Sequence, residues 1–196
     1  LIMAKLNYEK IIKINSGLPN AHYNLGNILK DLGEFEKAIN CYEKVIKIQP
    51  DLPAPYNNLG NILKELGEFK KALSYYKKAI EIKSNIADIH NNLGIVFKEL
   101  KEFKKADKYY SKSLKIAKKK SDNIQIPLIV AAARTKIRLE KFQEAKNLLI
   151  KAEKLNSEYH GDNPFHEIGI STEYQMLYRN SKKINDWIKR NDLGSF

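Results

Sequence analysis

The sequence predicts an all-α fold, a solenoid of antiparallel helix pairs, and three observations carry that expectation. The stretch NLGNILKDLGEFEKA from Asn24 returns as NLGNILKELGEFKKA from Asn58 and as NLGIVFKELKEFKKA from Asn92, a displacement of 34 residues each time. A fixed period of roughly 20 to 50 residues marks one supersecondary unit, stacked so that each copy buries the apolar face its neighbour cannot bury alone. Within each copy the apolar residues recur at i, i+3 and i+4, which places them on one helical stripe. Glycine and proline fall between the stripes, where helices must stop. Such an array grows without a single central core, so function is expected along a surface.

With Gly26, Gly60 and Gly94 at the eighth position, whole units run over 19–52, 53–86 and 87–120. Residues 1–18 read as a partial unit, a lone second helix, because Ala4, Tyr8 and Ile11 lie 34 residues before Ala38, Tyr42 and Val45. In each whole unit a first helix, A, carries Leu25, Leu59 and Leu93, with Leu29, Leu63 and Phe97 four residues on. Glycine inside a helix costs about 1 kcal/mol, so one kept in every copy implies close approach of another group. Its expected partner is the alanine at Ala38, Ala72 and Ala106 on the next helix.

Gly33 and Gly67 supply the left-handed residue that ends helix A. Phe35, Phe69 and Phe103 open helix B, whose buried stripe is Ala38, Tyr42 and Val45, then Ala72, Tyr76 and Ala79, then Ala106, Tyr110 and Ser113. Pro50 stops the first helix B. Lys101 in place of the turn glycine and Ser84 in place of that proline predict looser ends within the same fold. Residues 126–159 read as a degenerate fourth unit: Leu139, Phe142, Ala145 and Ala152 reproduce its turn and helix B after five extra residues near 121–125, and Ala133 stands where glycine did. Over 160–196 the period fails, and that segment is expected to form C-terminal capping helices over the last apolar face or to begin a further domain.

Hydrophobic residues make up 43% of the chain, ample for stacked helices. No run reaches the roughly 18 to 20 apolar residues of a membrane span, so no membrane insertion is expected. Cys41 is the single cysteine, which rules out an internal disulfide or a cysteine zinc cluster and favours a reducing, cytoplasmic location. The formal charge is +12, and residues 98–120 hold ten lysines against Glu99, Glu102 and Asp107, a local balance of +7. That block could attract nucleic acid or anionic lipid, although a solvated helix face is the favoured reading. Nucleophile, base and metal cluster are absent at useful spacing, and so is GxxxxGK[ST], so no enzymatic activity, cofactor or metal is predicted. His22 and His90 share a packing position, while His160 and His166 flank a loop with Asp162 and Glu167 but have no third histidine or cysteine nearby.

The N-L-G of helix A, the turn glycine, the aromatic residue opening helix B and its alanine and tyrosine together resemble the tetratricopeptide repeat family. The resemblance covers three whole units and two partial ones, and it implies a right-handed superhelix whose concave groove is lined by helix A. Asparagine is then the informative residue: Asn24, Asn58 and Asn92 recur at the sixth position, and Asn27 and Asn61 lie one turn later. Asparagine is a mediocre helix former, so its repeated use inside helices suggests a task that propensity does not explain. A primary amide holds donor and acceptor and can pair with the N–H and C=O of a passing backbone. The pattern is similar to the asparagine ladder in the repeat region of O-linked N-acetylglucosamine transferase.

Lys30, Lys64 and Lys98 repeat one turn beyond the amides, and Arg134 and Arg138 sit at i, i+4 on the fourth helix A. The expected function is therefore a protein-interaction module whose partner is a protein or peptide with an extended, acidic segment. The alternative role for the amides is hydrogen bonding within or between helices. If they serve the groove, replacing Asn24, Asn58 and Asn92 with alanine should abolish peptide capture and leave melting nearly unchanged. The carboxylate clamp that cochaperones of the family use on chaperone tails is incomplete: Asn27 and Asn58 match its amides, but Tyr23, Asp88 and Asn92 stand at its cationic positions. A different function is a substrate-recruiting arm of a larger enzyme, similar to the arrays that precede glycosyltransferase or sulfotransferase domains. Nucleic-acid binding through 98–120 is disfavoured, since Tyr110 is claimed by the repeat core. A lone helix B would also expose Tyr8, Ile11 and Ile12, through which a second copy could pair.

Overall fold

A computed structural model describes residues 1–119 and 126–160, and the regular structure among them is helical. The chain divides into two compact units, Leu1–Val96 and a second that begins at Phe97. The capping helices expected over 160–196 lie outside the described residues apart from His160, the last residue of its helix.

The first unit contains α1 (Ile2–Ile14), α2 (Pro19–Asp31), α3 (Phe35–Ile48), α4 (Pro53–Glu65), α5 (Phe69–Ile82) and most of α6 (Ala87–Glu99). Pro19 and Pro53 open α2 and α4, where a missing N–H leaves no bond unmade. Each A-to-B turn is closed by two bonds. Gly33, at φ +75°, donates its N–H to the carbonyl of Lys30 at 3.0 Å, and Glu34 donates to that of Leu29 at 2.8 Å. Gly67 and Glu68 repeat this with Lys64 and Leu63, at 3.1 and 2.8 Å. The left-handed residue satisfies the last carbonyls and reverses the chain, so α3 packs antiparallel to α2 and α5 to α4. Leu25 and Leu29 from α2, Ala38 and Tyr42 from α3, and Leu59 and Ile62 from α4 then form one apolar cluster.

The helical glycine makes room for a tyrosine rather than for the expected alanine. A Cβ built on Gly26 would lie 2.8 Å from Cε1 of Tyr42, and one on Gly60 would lie 2.6 Å from Cε1 of Tyr76. Both rings are fully buried, so the space a Cβ needs is already filled. His22 and His90 are buried packing residues as well. Their Nε2 atoms lie 2.9 and 2.8 Å from the carbonyl oxygens of Ser16 and Ser84, tying each helix A to the turn six residues back.

The second unit contains the end of α6, then α7 (Phe103–Lys119), α8 (Ile126–Arg138) and α9 (Phe142–His160). Its turns keep the same two bonds without glycine. Lys101 and Glu140 both adopt φ 59°. They donate to Lys98 and Ile137 at 2.9 and 3.1 Å, and Glu102 and Lys141 donate to Phe97 and Lys136 at 2.8 and 2.9 Å. Ala133 shares a buried cluster with Phe142 and Leu149. Leu149 stands where Tyr42 and Tyr76 stand in earlier copies, so a smaller side chain on α9 leaves room for the Cβ on α8.

Candidate peptide-binding face

The five ladder asparagines, Asn24, Asn27, Asn58, Asn61 and Asn92, are all half-buried and all hydrogen-bonded to other side chains. The hydroxyl of Tyr42 donates to Oδ1 of Asn27 at 2.7 Å, and that of Tyr76 to Oδ1 of Asn61 at 2.7 Å. Nδ2 of Asn58 donates to the same Oδ1 of Asn27 at 2.9 Å and to the hydroxyl of Tyr23 at 3.3 Å. Nδ2 of Asn24 reaches the Tyr8 hydroxyl at 3.1 Å, and Nδ2 of Asn92 reaches Oδ1 of Asn57 at 3.1 Å. The sixth-position amides thereby stitch α2 to α1, α4 to α2 and α6 to α4. Alanine at Asn24, Asn58 and Asn92 removes these bonds, each worth about 1 kcal/mol, so the expectation of nearly unchanged melting is corrected.

These bonds also sort the amides by polarity. Asn27 and Asn61 commit their oxygens to tyrosine hydroxyls, and among the described residues their NH₂ groups remain open. Asn24, Asn58 and Asn92 commit NH₂ hydrogens, and among the described residues their oxygens remain open. One row offers donors and the other acceptors, so the two halves of a peptide bond would meet different asparagines.

Lys30 and Lys64 follow Asn27 and Asn61 by three residues, on the same helix face. Lys30 lies 3.3 Å from the carboxylate of Asp31. Lys64 has no ion pair among the described residues, and burial pushes its ammonium below the ordinary lysine range, against the pull of Glu65. The other predicted cations belong to the second unit: Lys98 pairs with Glu99 at 2.8 Å, and Arg134 and Arg138 are exposed on α8.

Sequence reasoning missed the tyrosines that orient the amides, although Tyr42 and Tyr76 both follow their asparagines by 15 residues. It also missed an ionic cluster in the second unit, buried at Lys136 and Asp107 and exposed at Lys141 and Glu144. Lys136 lies 2.9 Å from Asp107 and 2.6 Å from Glu144, and Lys141 lies 3.0 Å from the other oxygen of Asp107. Burial raises the Asp107 carboxyl, but the ammonium groups of Lys136 and Lys141 outweigh it and hold the group below the usual carboxylate range. Burial likewise lowers Lys136, and Glu144 and Asp107 outweigh that in turn and hold it above the lysine range.

Short antiparallel helix pairs, with helix starts at residues 19, 53 and 87, define a helical-repeat protein of the α-solenoid class. The chain belongs to the tetratricopeptide repeat family: one family model, described as TPR repeat, matches residues 26–67, and two described as tetratricopeptide repeat match 7–40 and 51–119. Repeats of this kind build extended protein-binding surfaces. No curated protein matches the chain by sequence. Among solved structures, a crystal structure of MamA is similar with a TM-score of 0.69 at 22% identity, over 78% of this chain and 86% of that one. The crystal structure of YrrB, described as a TPR protein with an unusual peptide-binding site, is similar with a TM-score of 0.62 at 21% identity, over 91% of this chain and 81% of that one. A chain of the APC/C hetero-tetramer Cut9–Hcn1 has a TM-score of 0.72 at 16% identity, over 91% of this chain and 33% of that one. At these identities the likeness is one of fold. No helix among the described residues is long and apolar enough to cross a membrane.

Proposed function

We propose that the chain is a protein-interaction module that binds an extended peptide along the helix A face of its first unit. Acidic side chains of that peptide lie toward Asn27 with Lys30 and Asn61 with Lys64. One observation carries the reading: tyrosine hydroxyls occupy the carboxamide oxygens of Asn27 and Asn61, leaving N–H donors one turn from an ammonium group. Donors beside a cation suit a carboxylate, which only accepts. The oxygens of Asn24, Asn58 and Asn92 then remain for the backbone N–H groups of the same peptide. Lys64, half-buried and without an ion pair among the described residues, is the cation that an incoming carboxylate would neutralise. The fold likeness to YrrB, whose description includes a peptide-binding site, supports the reading.

Affinity capture with the intact chain and with Asn27→Ala/Asn61→Ala, read by mass spectrometry, identifies the peptides that depend on the donor row. Anisotropy titrations with those peptides and with forms carrying Gln for Glu then test the chemistry. Loss of each carboxylate is expected to weaken binding about tenfold, in line with a charge-assisted hydrogen bond. Equal affinity of the amidated peptides sinks the acidic-ligand assignment.

A further inference from the structure

We propose that the solvent face of α7 is a second binding surface, one that holds the phosphodiester backbone of nucleic acid without regard to base sequence. Lys104, Lys108, Lys112 and Lys115 are all exposed, and none has an ion pair among the described residues. Their spacing of i, i+4, i+8 and i+11 sets them in one row about 16 Å long, at 1.5 Å rise per residue.

The other helices B show what the fold requires at these positions. The matched residues are Glu36, Asn40, Lys44 and Lys47 on α3, a row charge of +1. On α5 they are Lys70, Ser74, Lys78 and Glu81, again +1, with Lys78 and Glu81 paired at 3.3 Å. On α9 they are Gln143, Asn147, Lys151 and Lys154, or +2, and on α7 the row is +4. Near-identical copies fold with neutral or acidic residues there, so folding does not select the lysines. Like charges at i, i+4 oppose the helix. A row that repels itself, and that no carboxylate among the described residues relieves, is complementary to a line of anions.

The chemistry of the row selects among polyanions. It contains no arginine, amide or aromatic side chain, so it can neither read base edges nor stack on bases, and only phosphate contact remains. No large apolar side chain on α7 is strongly exposed, so the face has nothing to insert into a bilayer. An extended acidic peptide presents successive side chains to opposite faces, and its backbone N–H groups would meet ammonium groups with no acceptor. A phosphodiester chain carries a charge on every unit and gains from counterion release along its length.

Fluorescence anisotropy with the full chain and a labelled duplex of about 20 base pairs, from about 50 to about 200 mM salt, tests the surface. The affinity is expected to fall with salt on a log–log slope of about −3.6, the value for four phosphates neutralised. Lys104→Glu/Lys108→Asn/Lys115→Glu installs residues that α3 or α5 already carries at matched positions. It is expected to keep the melting temperature, lose at least about tenfold in affinity and flatten the slope to about −1. Ser74→Lys/Glu81→Lys copies the row onto α5 and is expected to tighten binding severalfold. The proposal is overturned if the chain fails to bind the duplex at the lowest salt or if the triple variant binds as tightly as the parent. Where the triple variant melts early, an unchanged affinity in the α5 variant overturns it instead. Retention on phosphatidylserine vesicles or polyglutamate that disappears in the triple variant, while duplex binding persists, gives the row to a lipid or an acidic chain.

Discussion

In the first unit, Leu29 and Leu63 are buried on helix A, and Ile39 and Leu73 are half-buried on helix B. In the second unit two of the matched positions hold Lys136, 7% exposed, and Asp107, 8% exposed, joined at 2.9 Å. An apolar seam is non-directional, so near-identical copies can pack on one another without regard to which copy is which. A buried ion pair is stable only with its partners in place, and it discriminates against any neighbour that lacks them. The ionic seam therefore commits α8 to α7, where Asp107 lies, at the point where the 34-residue register is already broken by five residues.

Breaking that seam is expected to give the largest effect. Lys136→Leu leaves Asp107 buried beside Lys141 alone and is expected to destabilise the second unit by about 3 to 5 kcal/mol. Lys136→Leu/Asp107→Leu restores the apolar seam of the first unit and is expected to come back to parental stability or above it, since such replacements are often neutral or better. Urea unfolding with hydrogen exchange in α8 and α9 measures both, and a single variant as stable as the double dismisses the pair as a packing element. The seam is also acid-sensitive. Because the folded Asp107 carboxyl is held below its unfolded value of about 3.9, its stabilisation is full above that pH and lost as pH falls through the lowered folded value. The double variant is expected to lose this acid transition.

Helix positions were legible because the repeat displays its period, its turn residues and its apolar stripe together. The turns needed only a left-handed residue, which Lys101 and Glu140 supply as Gly33 and Gly67 do. The buried pair was hidden by composition: in a chain with 35 lysines and arginines, one more lysine carries no mark. Aligning Lys136 with Leu63 and Phe97 across the five-residue shift was the signal that would have exposed it.

The glycine–tyrosine contact separates the units next. Gly60→Ala places a Cβ against the Tyr76 ring and is expected to cost about 1 to 3 kcal/mol by overpacking, despite the better helix propensity of alanine. Gly60→Ala/Tyr76→Leu reproduces the Ala133 and Leu149 combination of the second unit. A thermodynamic cycle is expected to show the double variant less destabilised than the sum of the singles, and strict additivity removes the steric explanation. The sequence pointed to Ala38 rather than Tyr42 as the partner of Gly26; both lie on the buried stripe, and only the length of the ring decides.

The tyrosine hydroxyls give a smaller contrast and bear on the binding face. Tyr76→Phe removes a 2.7 Å bond to Asn61 and is expected to cost about 1 kcal/mol. Ile95 replaces the asparagine at the matched position of the next copy, and the buried Tyr110 hydroxyl has no partner among the described residues. Tyr110→Phe is therefore expected to be neutral or slightly stabilising in thermal melts, and a loss equal to that of Tyr76→Phe overturns the assignment. The asparagine row was visible in the sequence because it repeats. The direction in which each amide points was not, because that depends on which hydroxyl the fold brings to it.

The turns give the smallest effect. Lys101 and Glu140 hold φ 59° for two bonds that Gly33 and Gly67 make at φ +75°. A side chain in the left-handed region carries a steric penalty of about 1 to 2 kcal/mol, whereas glycine carries none but loses more backbone entropy on folding, about 0.5 to 1 kcal/mol. Lys101→Gly and Glu140→Gly are therefore each expected to stabilise the second unit by about 0.5 kcal/mol, the difference between those two effects. Gly33→Ala runs the comparison in reverse, with a loss of about 0.5 kcal/mol in the first unit. Urea midpoints at constant m-value resolve the sign. Destabilisation by Lys101→Gly shows that Lys101 makes contacts in this turn beyond its backbone geometry.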